Sequence, residues 1–208
     1  MILVTGCARS GTSLTTRILQ AHGCWLGANQ SVNRLYENID IRQTLLKPYL
    51  RRIGADPFGQ KPLPDTDRLE PDPSLRRAVL ERLNGAPRPW AYKDAKLTLI
   101  WPVWAKAFPE AKWVVVRRDP ERIVKSCLHT NFMKAYDTRD GWLDWVAEHE
   151  RRFEAMKAAG LDLVEIWPAA FIADAEAFRP VAAHCGLAFD AGAVRGAIDP
   201  GTTWERAA

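Results

Sequence analysis

Residues 1–13 read MILVTGCARSGTS, and they contain the first elements from which the fold is predicted. Met1–Thr5 is a short apolar run without polar alternation, which is typical of a strand buried on both faces. Residues 6–11 form a glycine-bounded loop. In Thr12–His22 the apolar side chains recur at helical spacing. The stretch therefore predicts a buried strand, a tight loop and a helix in direct succession.

This strand–loop–helix unit is a candidate anion site, because backbone N–H groups of such a loop and the helix dipole both favour negative charge. Gly6 and Gly11 keep the spacing of the nucleotide loop G-x-x-x-x-G-K-[ST], but Thr12 stands where the lysine should be. Arg9 is the cation within the loop, and its guanidinium can hold two oxygens. The stretch also offers the hydroxyl groups of Ser10, Thr12 and Ser13. The alternative is a serine-rich turn with a surface arginine.

Strands and helices alternate along the rest of the chain. Beyond the first strand, strands are predicted at Pro89–Lys93, Lys112–Arg117 and Leu161–Trp167. After the first helix, helices are predicted at Leu35–Ile53, Ser74–Asn84, Lys96–Phe108, Asp119–His129, Arg139–Ala159, Asp174–Cys185 and Asp190–Ala197, with Ser74 as a cap and Pro48 as a kink or break. This order predicts a three-layer α/β/α fold with a mainly parallel sheet, similar to that of the P-loop NTPases. We expect one domain over residues 1–208, with the Pro- and Asp-rich stretch 54–74 as a variable loop or lid.

Composition narrows the class of protein. The 208 residues carry a formal net charge of +4, a basic excess that suits an anionic ligand but is too small to argue for nucleic acid. The four cysteines form no C-x-x-C pair and no zinc spacing with histidine, so we expect free thiols, a cytoplasmic protein and no metal. No apolar run approaches the length of a membrane span, and nothing in the sequence indicates the oligomeric state.

A second candidate anion site lies in VVVRRDPERIVKS, residues 114–126. Arg118 follows a buried strand and therefore emerges at the carboxyl edge of the sheet, where ligands of such sheets bind. Ser126 lies eight residues later, on the following helix. Together they could hold another phosphate. A salt-bridged arginine and a solvent-facing serine explain the same pattern equally well.

With both stretches in hand, the sequence resembles the sulfotransferase family that uses 3′-phosphoadenylyl sulfate (PAPS), in its bacterial, carbohydrate-type branch. The loop Arg9–Ser13 is similar to the family's [RK]-[SA]-G-[ST]-[ST] segment, and Arg118-Asp119-Pro120 with Ser126 is similar to its R-[DN]-P-x₅-S segment. The resemblance implies that PAPS is the co-substrate and that a hydroxyl of a carbohydrate or small molecule is the acceptor. It also implies donor-binding roles for Arg9, Ser10, Gly11, Thr12, Ser13, Arg118 and Ser126.

The resemblance further implies catalytic residues. Glu37, in the segment LYENIDI, is the first choice for the base, and the alternative is a charge at the start of the second helix. Lys93, at a strand exit, is a candidate cation for the sulfuryl group beside Arg9. Asp94 is the second choice for the base. Some family members have a histidine two residues after this lysine, but Ala95 stands there in this sequence.

Two other functions stay open from the sequence. One is a P-loop nucleoside or small-molecule kinase with a degenerate loop. Thr12 in place of the loop lysine, and a strand that ends in arginine, argue against this function. The other is a non-catalytic nucleotide-binding protein of the same fold. The nine tryptophans are expected chiefly in the core, and the late segment 198–206, with Arg206, is expected to fold back over the nucleotide.

Overall fold

The computed structural model describes residues 1–27 and 35–198, so the prediction for Arg206 lies outside the described residues. Its sheet has four strands: β1 (Ile2–Gly6), β2 (Ala91–Lys93), β3 (Lys112–Val116) and β4 (Leu163–Ile166). They lie in the order β2-β1-β3-β4, and every neighbouring pair is parallel. The carboxyl ends of all four strands therefore meet at one edge, as predicted.

Helices cover both faces of this sheet. The α-helices are α1 (Thr12–Ala21), α2 (Ile39–Ile41), α3 (Lys47–Arg52), α4 (Leu75–Arg82), α5 (Trp101–Ala107), α6 (Pro120–Leu128), α7 (Arg139–Ala158), α8 (Pro168–Ala173), α9 (Arg179–His184) and α10 (Ala191–Ala197). A π-helical turn at Arg42–Leu46 joins α2 to α3, and 3₁₀ turns lie at Thr66–Arg68, Ala95–Ile100 and Ala175–Phe178. The fold is the predicted three-layer α/β/α arrangement.

Successive residues of each strand point to opposite faces, and this alternation builds two cores. Leu3 and Trp113 pack with α3, α4 and α5 on one face, whereas Val4 and Val114 pack with α1 and α8–α10 on the other. A third cluster joins α6 to α7 through the buried Trp142 and Trp145. These two tryptophans are core residues, as expected from their spacing.

Two local predictions were wrong. The second helix begins at Ile39 rather than Leu35, because the Asn38 side chain accepts a hydrogen bond from the Ile41 N–H and caps it there. Pro48 lies in the first turn of α3, directly after the π-helical turn, where the missing N–H of proline is tolerated. Ser74 stands at the N-cap of α4, but its hydroxyl donates to Asp72 instead of capping.

The stretch 54–74 is a loop with one 3₁₀ turn, and it is tied to the body of the protein. The Trp145 indole N–H donates to the Gly59 carbonyl at 3.1 Å, and Arg152 donates to the Pro64 carbonyl at 2.8 Å. Gln60, which is buried, donates to the Phe132 carbonyl at 2.7 Å. These contacts hold the loop against α7 and the segment that precedes it.

Candidate active site

The glycine loop follows β1 at the carboxyl edge of the sheet. Gly6 lies so close to β3 that a β-carbon there would be 2.5 Å from the Val116 carbonyl oxygen, so this position requires glycine. Gly11 begins α1 with a φ of 109° and no side-chain cap. The first N–H groups of α1 are therefore not satisfied by a side chain at the N-cap.

Two features of the loop itself indicate an anion cradle. The Ser10 hydroxyl is buried and has no hydrogen-bond partner within the described residues. A buried hydroxyl without a partner is costly, and an oxygen-rich ligand would satisfy it. Arg9 has a φ of 71°, a left-handed conformation that non-glycine residues seldom adopt and that recurs at ligand sites.

The structure brings the two predicted anion stretches into direct contact. The Arg9 Nε–H donates to the Ser126 hydroxyl at 2.9 Å, and the Arg118 guanidinium donates to the Arg9 carbonyl at 2.9 Å. Burial, and then the charges of Arg122 and Arg9, lower the pKa of Arg118. Several arginines thus lie near one another, and a bound anion would relieve their mutual repulsion.

A second group of residues meets at the start of α1, at the exit of β2. The Lys93 ammonium is 3.0 Å from Glu37 Oε1, 3.0 Å from the Leu35 carbonyl and 3.3 Å from the Ser13 hydroxyl. Glu37 Oε2 accepts from Arg42 at 2.6 Å. Lys93 and Glu37 are 4% and 7% exposed, so they form a buried ion pair directly beside the loop.

This ion pair contributes to a low pKa of Glu37. Burial alone would raise the pKa of this carboxyl, but the charges of Lys93 and Lys96 and the hydrogen bonds from Arg42 and Lys93 lower it to about 2. Glu37 is therefore ionised at neutral pH, with both oxygens engaged by cations. It precedes the Asn38 cap and lies outside the helix.

Asp94 lies next to this group but faces its own partners. Its side chain is fully buried, accepts from the Lys96 ammonium at 2.7 Å and from the Lys96 N–H at 2.9 Å, and caps the 3₁₀ turn Ala95–Ile100. The Thr5 hydroxyl bonds to the Asp94 carbonyl at 3.1 Å and to Thr98 at 2.8 Å. These bonds hold the chain after Lys93 against β1.

Thr12 is buried in the first turn of α1, and its carbonyl accepts from the Thr16 hydroxyl.

All four cysteines are free and buried. In residues 1–27 and 35–198, no group of three or more His, Cys, Asp or Glu side chains could hold a metal ion. Among the helices of these residues, none is both long and apolar enough to cross a bilayer.

Arg42 is the partner that the sequence did not reveal. It lies five residues after Glu37, and this spacing differs from the three or four residues that place side chains side by side on a helix. Glu37 lies directly before the Asn38 cap and outside the helix, so the regular helical spacing does not apply to this contact. The sequence contains no signal for where α2 begins.

The chain is similar to one family model and to solved structures. A family model described as the sulfotransferase family matches residues 2–190. Sulfotransferase STF1 from Mycobacterium tuberculosis H37Rv has a TM-score of 0.52 and 18% identity, covering 94% of this chain and 69% of that chain. Sulfotransferase STF9 from Mycobacterium avium has a TM-score of 0.56 and 16% identity, covering 94% of this chain and 66% of that chain.

At these identities, the structural likeness shows a common fold. This chain spans about two-thirds of the length of the two solved sulfotransferases. No curated protein matches the sequence significantly.

Proposed function

The chain belongs to the sulfotransferase family, and from that premise we propose that it transfers a sulfuryl group from PAPS to a hydroxyl of a carbohydrate or small-molecule acceptor. The contact of Arg9 with Ser126 carries this proposal, because it brings together the two stretches that are predicted to bind anions. A nucleotide with phosphates at both ends of its ribose suits such a double site. The unpartnered Ser10 hydroxyl also fits a phosphate-bearing donor.

The donor supplies a phosphate–sulfate anhydride, from which the sulfuryl group leaves phosphate and joins the acceptor oxygen. Ser10, Thr12 and Ser13, with the N–H groups at the start of α1, would hold the 5′ end. Arg118 and Ser126 would hold the 3′-phosphate, and Arg9 lies between the two ends. Lys93 would neutralise charge on the sulfuryl oxygens.

Glu37 is the carboxylate that we propose as the base. The cations around it lower its pKa to about 2, so it is a poor proton acceptor while Lys93 binds it. If Lys93 turns from Glu37 Oε1 to the sulfuryl oxygens, Glu37 loses a positive neighbour and its pKa rises. Glu37 would then accept the acceptor's proton when the donor is in place.

Asp94 is less suited to this role, although it was the second choice. Its carboxylate is fully buried and is engaged by Lys96 and by the cap of the 3₁₀ turn. A group with these bonds positions Lys93, the residue before it, rather than meeting a substrate. The cytoplasmic location stays a prediction, with which the buried free thiols are compatible.

The test is transfer of ³⁵S from labelled PAPS to a panel of sugars and phenols in the presence of EDTA. We expect labelled acceptor, with an Arg9→Ala variant slower by about 10²–10³-fold. Arg77→Ala, which changes an exposed arginine on α4, is the matched control and should keep full activity.

Two outcomes contradict the proposal. Transfer from Mg·ATP without transfer from PAPS would identify a kinase. Tight binding of the desulfated product, adenosine 3′,5′-bisphosphate (PAP), without any turnover of PAPS would identify a non-catalytic protein. The sequence leaves both alternatives open.

A further inference from the structure

Lys47, in the first turn of α3, is a half-buried cation that forms no ion pair within the described part of the chain. Its ammonium lies over the Phe58 ring, 4.6 Å from the centroid. Burial, and then the charges of Lys96 and Arg42, lower the pKa of Lys47. The negative charge of Asp94 acts on Lys47 in the opposite direction but forms no ion pair with it, so an anion that binds directly to Lys47 would stabilise this cation.

The buried and half-buried basic side chains around the end of β2 outnumber the carboxylates there. The basic residues are Arg42, Lys47, Lys93 and Lys96, and the carboxylates that pair with them are Glu37 and Asp94. Asp56, in the neighbouring loop, accepts from the backbone N–H groups of Phe58 and Gln60 instead. Each carboxylate is already engaged, Glu37 by two cations and Asp94 by Lys96 at 2.7 Å. This edge of the site therefore keeps an excess of positive charge.

The loop 54–74 places an apolar side chain beside these cations. Phe58 is 61% exposed, so its ring is accessible to a ligand. The next residue, Gly59, rests on Lys96, since a β-carbon at Gly59 would be 2.9 Å from Lys96 Cγ. Gln60 fixes the loop by accepting from the Lys134 N–H at 2.8 Å and donating to Phe132, whose side chain is 54% exposed.

We propose that the acceptor is a hydroxyl compound that also carries an anionic group, such as a carboxylate, which the ammonium groups of Lys47 and Lys96 bind while Phe58 contacts its ring. This inference rests on the proposed sulfuryl transfer and specifies its substrate class. Lys93 is the last residue of β2, Lys96 lies three residues later, and the charge of Lys96 acts on Glu37, so an acceptor bound at Lys96 lies close to the Lys93–Glu37 pair. Lys47 and Lys96 then distinguish acidic from neutral acceptors.

The experiment uses the full chain saturated with PAP and two probes that differ in one group. These are p-nitrophenyl β-D-glucuronide, which has a carboxylate, and p-nitrophenyl β-D-glucoside, which does not. Calorimetric titration measures each affinity. We expect the glucuronide to bind at least about tenfold more tightly, as one charge-assisted hydrogen bond implies.

Lys47→Gln should remove most of this preference and leave the affinity for PAP and for the glucoside unchanged. Lys61→Gln is the matched control, since Lys61 is exposed and also lies over a ring, 5.1 Å from the Tyr136 centroid. Its glucuronide preference should persist. Phe58→Ala should weaken both glycosides alike.

The proposal is overturned if the PAP-loaded protein binds both glycosides equally, prefers the glucoside or binds neither. It is also overturned if Lys47→Gln keeps the preference. Failure of PAP to bind in the first step is a different result, because it removes the proposed function itself and with it the basis for any acceptor. The two failures are therefore separated by the order of the titrations.

Discussion

The buried Lys93–Glu37 pair makes a quantitative prediction about stability. Glu37→Gln leaves two cations, Lys93 and Arg42, without their carboxylate, whereas Lys93→Met leaves Glu37 still bound to Arg42 at 2.6 Å. Breaking a buried pair by removing one partner costs about 3–5 kcal/mol. We therefore expect Glu37→Gln to lower the free energy of unfolding by about 4 kcal/mol and Lys93→Met by about 2 kcal/mol.

The double variant should lose less than the sum of the two. At the 3.0 Å separation of Lys93 Nζ and Glu37 Oε1, an effective dielectric constant near 20 gives a gross attraction of about 5 kcal/mol. Desolvation offsets much of it, so we expect a coupling free energy of about 2 kcal/mol. Urea unfolding followed by tryptophan fluorescence measures all four proteins, since the chain has nine tryptophans.

The same cycle on Lys112 and Asp162 is the control. Their side chains are 3.1 Å apart but 40% and 56% exposed, so their coupling should not exceed about 1 kcal/mol. If the Lys93 and Glu37 substitutions are additive within about 0.5 kcal/mol, the two side chains do not form the buried pair described above.

Two further predictions concern the loop and acid stability. Gly6→Ala should weaken PAP binding at least about tenfold, because the added β-carbon would be 2.5 Å from the Val116 carbonyl oxygen. Gly196→Ala is the control and should bind PAP normally, since the space around Gly196 is open. Equal PAP affinities of the two variants would contradict the close approach of Gly6 to Val116. Burial lowers the pKa of His149 to about 4, so the unfolded chain gains its proton first as pH falls below 6.5. The free energy of unfolding should therefore drop by about 2 kcal/mol between pH 7 and pH 5. If this pH dependence is the same in His149→Phe, His149 is not the group responsible for it.

The sequence predicted those parts of the fold that depend on local patterns. β1, the loop and α1 follow each other directly in the sequence, and the β-branched run of β3 favours a strand. The start of α2 was misplaced because Asn38 competes with earlier residues as the cap. The helix α8 was missed because its six residues are too few for a periodic pattern.

The candidate site was also predicted only in part from the sequence. The sequence supplied Arg9, Lys93 and Arg118 as candidates because each lies in a loop or at a strand exit, and it supplied Ser126 because of its position on the helix that follows Arg118. It could not supply the contact of Arg9 with Ser126, which joins residues 117 positions apart. Nor could it supply the engagement of Glu37 by Arg42, because Glu37 lies before the Asn38 cap and outside the helical spacing. The first contact depends on tertiary structure, and the second depends on where α2 begins.

The central claim is that Arg9, Arg118 and Ser126 form a site for a nucleotide with a 3′-phosphate. Calorimetric titration with PAP and with AMP, which lacks that phosphate, tests it most directly when EDTA is present. We predict that PAP binds at least about tenfold more tightly than AMP and that Ser126→Ala removes much of this difference. Equal affinities for PAP and AMP, or binding of Mg·ATP with no binding of PAP, would contradict the claim.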